Sequence, residues 1–218
     1  GVGKTATMTL IPFGLKANRV LIIAPNKTVR GQIFEEFKNL SIFHKLNIYT
    51  KLENPKVFEV KKSINNDEAW EELKNYDVVI STPHCISSKY DYVKIPNGSI
   101  RETLFDLIII DEAHHIPAET WGHILKQFNN TKNILFTATP FRRDKKILPG
   151  VQVYAYPLSK AIENEYYEKI SYLPIEINPN EDKDVVLAEK AKEQFNILKS
   201  KNSDIKMLIK VESKEKAK

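Results

Sequence analysis

Three short groups of residues in this chain have the types and spacing that phosphate chemistry needs. The first is Gly1-Val2-Gly3-Lys4-Thr5, followed by Ala6. Glycines let backbone N–H groups close around phosphate oxygens, and the helix that follows aims its positive end at the same oxygens. A lysine there neutralises charge on the β- and γ-phosphates, and a threonine hydroxyl holds Mg2+. Gly1, Val2, Gly3, Lys4, Thr5 and Ala6 are therefore candidates for binding ATP, with Thr5 as a metal ligand; a chance Gly-rich turn is the alternative for this group taken alone. The second group, Asp111-Glu112-Ala113-His114-His115, ends the apolar run Leu107 to Ile110. Asp111 has the chemistry of a Mg2+ ligand and Glu112 that of a base polarising an attacking water. The same carboxylates could instead serve the dipole of a following helix. In the third group, Thr137-Ala138-Thr139-Pro140, hydroxyls after a strand could bond His114 and couple the γ-phosphate to distant contacts.

The elements that must hold these groups alternate. Arg19 to Ala24, Asp77 to Ser81, Asp106 to Asp111 and Asn133 to Thr137 read as strands, with Leu46 to Tyr49 and Val57 to Val60 as further ones. Helices are expected over Thr28 to Leu40, over Asp67 to Asn75 with Asp67 as N-cap, and over Pro117 to Phe128 with Pro117 in the first turn. Continuous apolar runs mean strands buried on both faces, hence a mostly parallel sheet with helices above and below. Ligands of such sheets bind at the carboxyl ends of strands. Pro25-Asn26, Thr82-Pro83-His84, Asp111-Glu112 and Thr137 to Thr139 all lie there.

With 218 residues there is enough chain for one sizeable domain and part of another. No run of 18 apolar residues occurs, which excludes a membrane-spanning helix. The excess of 33 Lys and Arg over 28 Asp and Glu permits a nucleic-acid partner without demonstrating one. The single cysteine, Cys85, excludes an internal disulfide and fits a reducing, cytoplasmic setting. His84 beside it is not a metal ligand set. The chain starts inside a phosphate loop, without an initiator Met, and stops at Lys218 without a closing element, so it reads as a piece of a longer protein.

Composition changes near Gly150. Residues 151–183 are rich in Tyr and Pro, contain a short helix at Leu158 to Tyr167, and read as a connector from the 1–150 domain. Residues 184–218 read as the start of a second lobe: an amphipathic helix from Val185 to Ser200, then a strand from Ile205 to Val211.

Taken together and in order, the motifs resemble those of a superfamily 2 helicase of the DEAD/DEAH-box kind, whose relatives include type I and type III restriction-enzyme motor subunits. Gly1 to Thr5, Ala24 to Gln32, Ser81 to His84, Asp111 to His115 and Thr137 to Arg142 carry the resemblance across residues 1 to about 143. It implies a RecA-like P-loop NTPase lobe, with helices on both faces of the sheet in three layers, that hydrolyses ATP with Mg2+ to move on DNA, in preference to RNA. It implies Lys4, Asp111, Glu112 and His114 as catalytic residues. It also implies Pro25, Asn26, Arg30, Thr82 and Pro83 as strand contacts, with Thr137, Ala138 and Thr139 coupling the two sites. Asn26 and Thr28 could equally cap a helix. The basic loop Arg142, Arg143, Lys145 and Lys146 meets nucleic acid or is a solvated face. Nuclease or restriction subunits are possible partners in the parent protein. The adenine-reading segment and the arginine finger of the second lobe are not in these residues, so the 218-residue chain alone is expected to bind nucleotide weakly and turn over little. A nucleotide-gated clamp that does not unwind, and an unrelated phosphate-loop kinase, are the other readings.

Overall fold

A computed structural model describes residues 3–48, 53–115, 119–139, 148, 150–168 and 171–208. The chain divides into two compact units, Gly1–Tyr166 and Tyr167–Lys218.

The first unit is built on five parallel strands: β1 (Val20–Ile23), β2 (Val57–Glu59), β3 (Val78–Ser81), β4 (Leu107–Ile110) and β5 (Lys132–Leu135), in the order β2-β3-β1-β4-β5. β1, β3 and β4 are the β-branched and leucine runs, and every residue in them is buried. Side chains alternate across such a sheet. Val20, Ile22, Val78, Ile80, Leu107 and Ile109 therefore share one face, packed with Met8, Ile33 and Phe37. Those three come from helices α1 (Lys4–Gly14) and α2 (Lys27–Asn39). Leu21, Ile23, Val79, Ile108 and Ile110 share the other face with Trp70, Ile86, Ile100, Leu104, Trp121, Ile124 and Phe128. Each fully buried aliphatic of this kind stabilises by about 1.5–3 kcal/mol.

Between α2 and β2 lies α3 (Ser41–Lys45), and the second face is covered by α4 (Asp67–Glu72), α5 (Pro83–Ile86), α6 (Gly98–Thr103) and α7 (Glu119–Gln127). The three short helices α3, α5 and α6 were not expected. Residues 46–48 do not form the expected strand: Asn47 takes a left-handed φ of 54° and Ile48 N–H bonds back to Phe43, closing a helix end. Asparagine tolerates that conformation, so the chain turns where a strand would run on. The cap of α4 is Asn66, which accepts from Ala69 N–H, and Asp67 is the first helical residue. Pro117 and Tyr49 lie outside the described residues.

Also in the first unit, α8 (Leu158–Glu163) is shorter than the Leu158 to Tyr167 helix expected, because Glu165 takes a left-handed φ of 58°. The second unit contains α9 (Lys183–Lys201), capped by Asp182, with none of its residues buried. Val185, Val186, Leu187, Phe195, Ile197 and Leu198 are spread around its circumference, so it lacks the single apolar stripe expected of it. Of the expected strand Ile205 to Val211, residues 205–208 are irregular, and Ile209 to Val211 lie outside the described residues. Among the described residues no helix is long and apolar enough to cross a membrane.

One buried ion pair locks α2 to the sheet. Arg30 Nε lies 2.8 Å from Glu59 Oε1, and its Nη1 donates to the Val60 carbonyl at 3.0 Å. Burial alone would raise the Glu59 carboxyl, but hydrogen bonds from Arg30 and Lys61 outweigh it and hold the group below its ordinary range. A depressed folded value adds stability that is present above the unfolded value and is lost as pH falls through the folded one. The parent chain should therefore lose stability on acidification below the ordinary carboxylate range, and Arg30→Ala should lose less over that window. At neutral pH, Arg30→Ala should cost about 3 kcal/mol, because Glu59 is left half-paired. Urea denaturation at two pH values checks both points, and an unchanged midpoint would mean the pair contributes nothing.

Candidate active site

The carboxyl ends of β1, β4 and β5 are stitched together by the backbone. Asp111 N–H donates to the Ile23 carbonyl at 3.0 Å, Phe136 N–H to Ile110 at 2.8 Å and Ala113 N–H to Phe136 at 2.8 Å. The acidic turn is thus fixed on both sides before any side chain acts. Glu112 has φ of 51°, a left-handed value that costs a non-glycine residue about 1–2 kcal/mol. Asp111 Oδ1 accepts the Glu112 N–H at 2.9 Å, which holds the turn in that conformation.

The turn points its carboxylates at α1. Lys4 Nζ lies 2.5 Å from Glu112 Oε1 and 3.6 Å from Asp111 Oδ1. Asp111 is nearly buried, while Lys4 and Glu112 keep about a third of their side chains in solvent. His114 Nδ1 is 3.3 Å from Glu112 Oε2 and 3.2 Å from Thr137 Oγ1, and Thr137 Oγ1 also accepts the Thr139 N–H at 3.1 Å. One chain of contacts therefore runs Lys4, Glu112, His114, Thr137, Thr139, across residues 108 and 23 positions apart. His115 stacks on Trp121 and supports the turn from behind.

Gly3 precedes α1 with φ of 88°, a conformation that a side chain would strain. No side chain caps this helix, and first-turn amides of that kind suit an anion. Thr5 is exposed on that turn and Ala6 is half-buried. Gly1 and Val2 lie outside the described residues, as do Pro140 and the basic residues Arg142, Arg143, Lys145 and Lys146. Among the described residues no group of three or more His, Cys, Asp or Glu is arranged to hold a metal ion by itself. A nearly buried carboxylate and an exposed hydroxyl fit Mg2+, which binds through few protein groups and keeps waters and phosphate oxygens.

The five residues expected to touch a strand differ in exposure. Asn26 is exposed, and its Oδ1 accepts the Val29 N–H at 3.0 Å as the cap of α2. Pro25 is half-buried. Arg30 is spent on Glu59, Pro83 is buried, and Thr82 is 4% exposed with its hydroxyl 3.6 Å from Cys85 Sγ. Asn26→Ala should destabilise by about 1 kcal/mol through loss of the cap. If it also weakens single-strand binding under conditions where the variant is fully folded, Asn26 is a contact as well as a cap.

The sheet and the lysine-carboxylate cluster at its carboxyl edge define a RecA-like P-loop NTPase lobe. A family model described as "Type III restriction enzyme, res subunit" matches residues 1–142, more than half of the chain, and the chain belongs to that family. It is also 26% identical over 183 residues to "Putative helicase 22" of Sulfolobus islandicus filamentous virus (isolate Iceland/Hveragerdi), covering 79% of this chain and 30% of the viral protein. The crystal structure of the Pyrococcus furiosus Hef helicase domain is similar at 22% identity and a TM-score of 0.45, over 79% of this chain and 33% of that one. The chain thus spans about a third of each of these relatives.

Proposed function

We propose that this chain is the ATP-binding lobe of an ATP-driven helicase or translocase. The observation that carries the reading is the contact between Lys4 and the Asp111–Glu112 turn, backed by membership of a restriction-enzyme motor family. In this reading the lobe is the compact unit that ends at Tyr166 and so takes in α8, the connector is what remains of 151–183 after it, and 184–218 begin a second lobe.

In this reading the amides of the first turn of α1, from Gly3 through Ala6, receive the phosphates. Lys4 leaves Glu112 and pairs with the β- and γ-phosphate oxygens, which frees the Glu112 carboxylate to accept a proton from the attacking water. Thr5 and Asp111 would hold Mg2+, whose charge would stabilise the oxygens of the transferred group. His114 lies between Glu112 and Thr137, so a shift of Glu112 would reach Thr137 and Thr139. The family's association with restriction favours DNA as the track and a nuclease subunit as partner.

The test is ATPase activity of the full-length parent protein with single- and double-stranded DNA and RNA as competing stimulants. Strong stimulation by one polymer supports a motor and names its track. ATP binding without stimulation by any polymer supports a nucleotide-gated clamp instead.

A further inference from the structure

The segment after β3 presents a column of rings. His84 and Tyr90 have centroids 5.2 Å apart with planes 27° from parallel, and Tyr90 and Tyr92 are again 5.2 Å apart, at 16°. His84 is exposed and Tyr92 is 52% exposed, so both ends of the column reach solvent. Aromatic rings normally bury their faces in a core, and rings left stacked at a surface need a reason.

The backbone beneath them is firmly held. Ser87 Oγ donates to the Thr120 carbonyl at 2.7 Å, and Lys89 pairs with Glu119 at 2.7 Å. Val93, 5% exposed, plugs the core, its N–H bonded to the Tyr90 carbonyl. Lys94 N–H bonds to Ile64, and its carbonyl accepts from Trp70 Nε1 at 2.8 Å. The rings are therefore presented by a pre-ordered segment and lose little freedom when something stacks on them. Exposed Lys61 and Lys62 precede Ile64 on the adjoining segment, and Lys94 is exposed on the ring segment itself. Lys61 is paired with Glu59, and exposed Asp91 stands between the two tyrosines, so the charge around the rings is mixed.

We propose that His84, Tyr90 and Tyr92 form a stacking platform for unpaired bases of a single nucleic-acid strand. The proposal rests on the helicase reading above and deepens it. Thr82, Pro83 and Arg30 turn their side chains inward, so the outward-facing chemistry at this strand end belongs to the rings. A base adds its face to the open end at Tyr92 or at His84, extending the column. Stacking of this kind tolerates any base, because every base has a π-face.

The experiment is fluorescence anisotropy of the full chain with labelled oligothymidylate, its ribo-counterpart oligouridylate, and an abasic strand of equal length. Tyr92→Ala should weaken binding of a base-bearing strand about tenfold and Tyr90→Ala/Tyr92→Ala further, with the abasic strand unaffected. Tyr92→Phe, which keeps the ring, should bind as the parent does. Tyr92→Leu, which keeps apolar volume but has no π-face, should behave like the alanine variant and guards against a folding artefact. The DNA and RNA arms show which strand the platform takes; a loss on either supports it. Equal binding by parent and variants, or an equal loss on the abasic strand, would overturn the platform and leave the helicase reading standing. A parent chain that binds no strand would overturn both.

Discussion

Glu112→Gln in the full-length protein is expected to slow ATP hydrolysis by about 10²–10⁴-fold, the usual contribution of a positioned general base. The amide keeps the size of the carboxylate but cannot take the water's proton. Nucleotide binding should survive and should not weaken. Lys4 is held by Glu112 at 2.5 Å before nucleotide arrives, so removing that charge removes a competitor of the phosphates. Turnover measured alongside the dissociation constant separates the two effects. Hydrolysis at the parent rate would mean that Glu112 does not activate the water. A loss of binding together with turnover would mean that the turn carrying its left-handed φ had collapsed.

Lys4→Ala has the second large expected effect, a fall in ATP affinity on the order of 10–100-fold. The figure follows from losing a charge-assisted hydrogen bond to the phosphates. The same variant strips Asp111 and Glu112 of their ammonium partner and leaves two neighbouring carboxylates in a half-buried turn. A drop in thermal stability without ligand is therefore expected too, and it should be smaller in the Lys4→Ala/Glu112→Gln double variant. Titration calorimetry reads the affinity and thermal melting the coupling. Unchanged affinity would remove Lys4 from the phosphate site.

Much of the fold is local in origin. Val20 to Ile23, Val78 to Ser81 and Leu107 to Ile110 are unbroken apolar runs, and such runs have few solutions other than the interior of a parallel sheet. Asn26 and Asp182 are residue types that cap helices wherever they precede a helical period, and both do so here. Residues 46–48 and 205–208 went the other way. A short apolar stretch carries no period of its own, and whether it pairs depends on a neighbour that the local sequence does not name. The Tyr-x-Tyr spacing of Tyr90 and Tyr92 is local, but their stacking with His84 comes only from the fold.

By itself the sequence determined which residues carry chemistry and in what order they follow strands, because residue type and apolar patterning are properties of the chain. It also determined that the strands would be parallel and doubly covered. Only the tertiary structure decided which of those groups meet. Lys4 and Glu112 lie 108 positions apart and touch because α1 begins where β4 ends, at the same edge of one sheet. Arg30, a surface residue by type, turns inward because Glu59 at the end of β2 offers its charge in a nearly buried place. Side-chain direction depends on what the fold packs opposite, and that is a property of the assembled molecule.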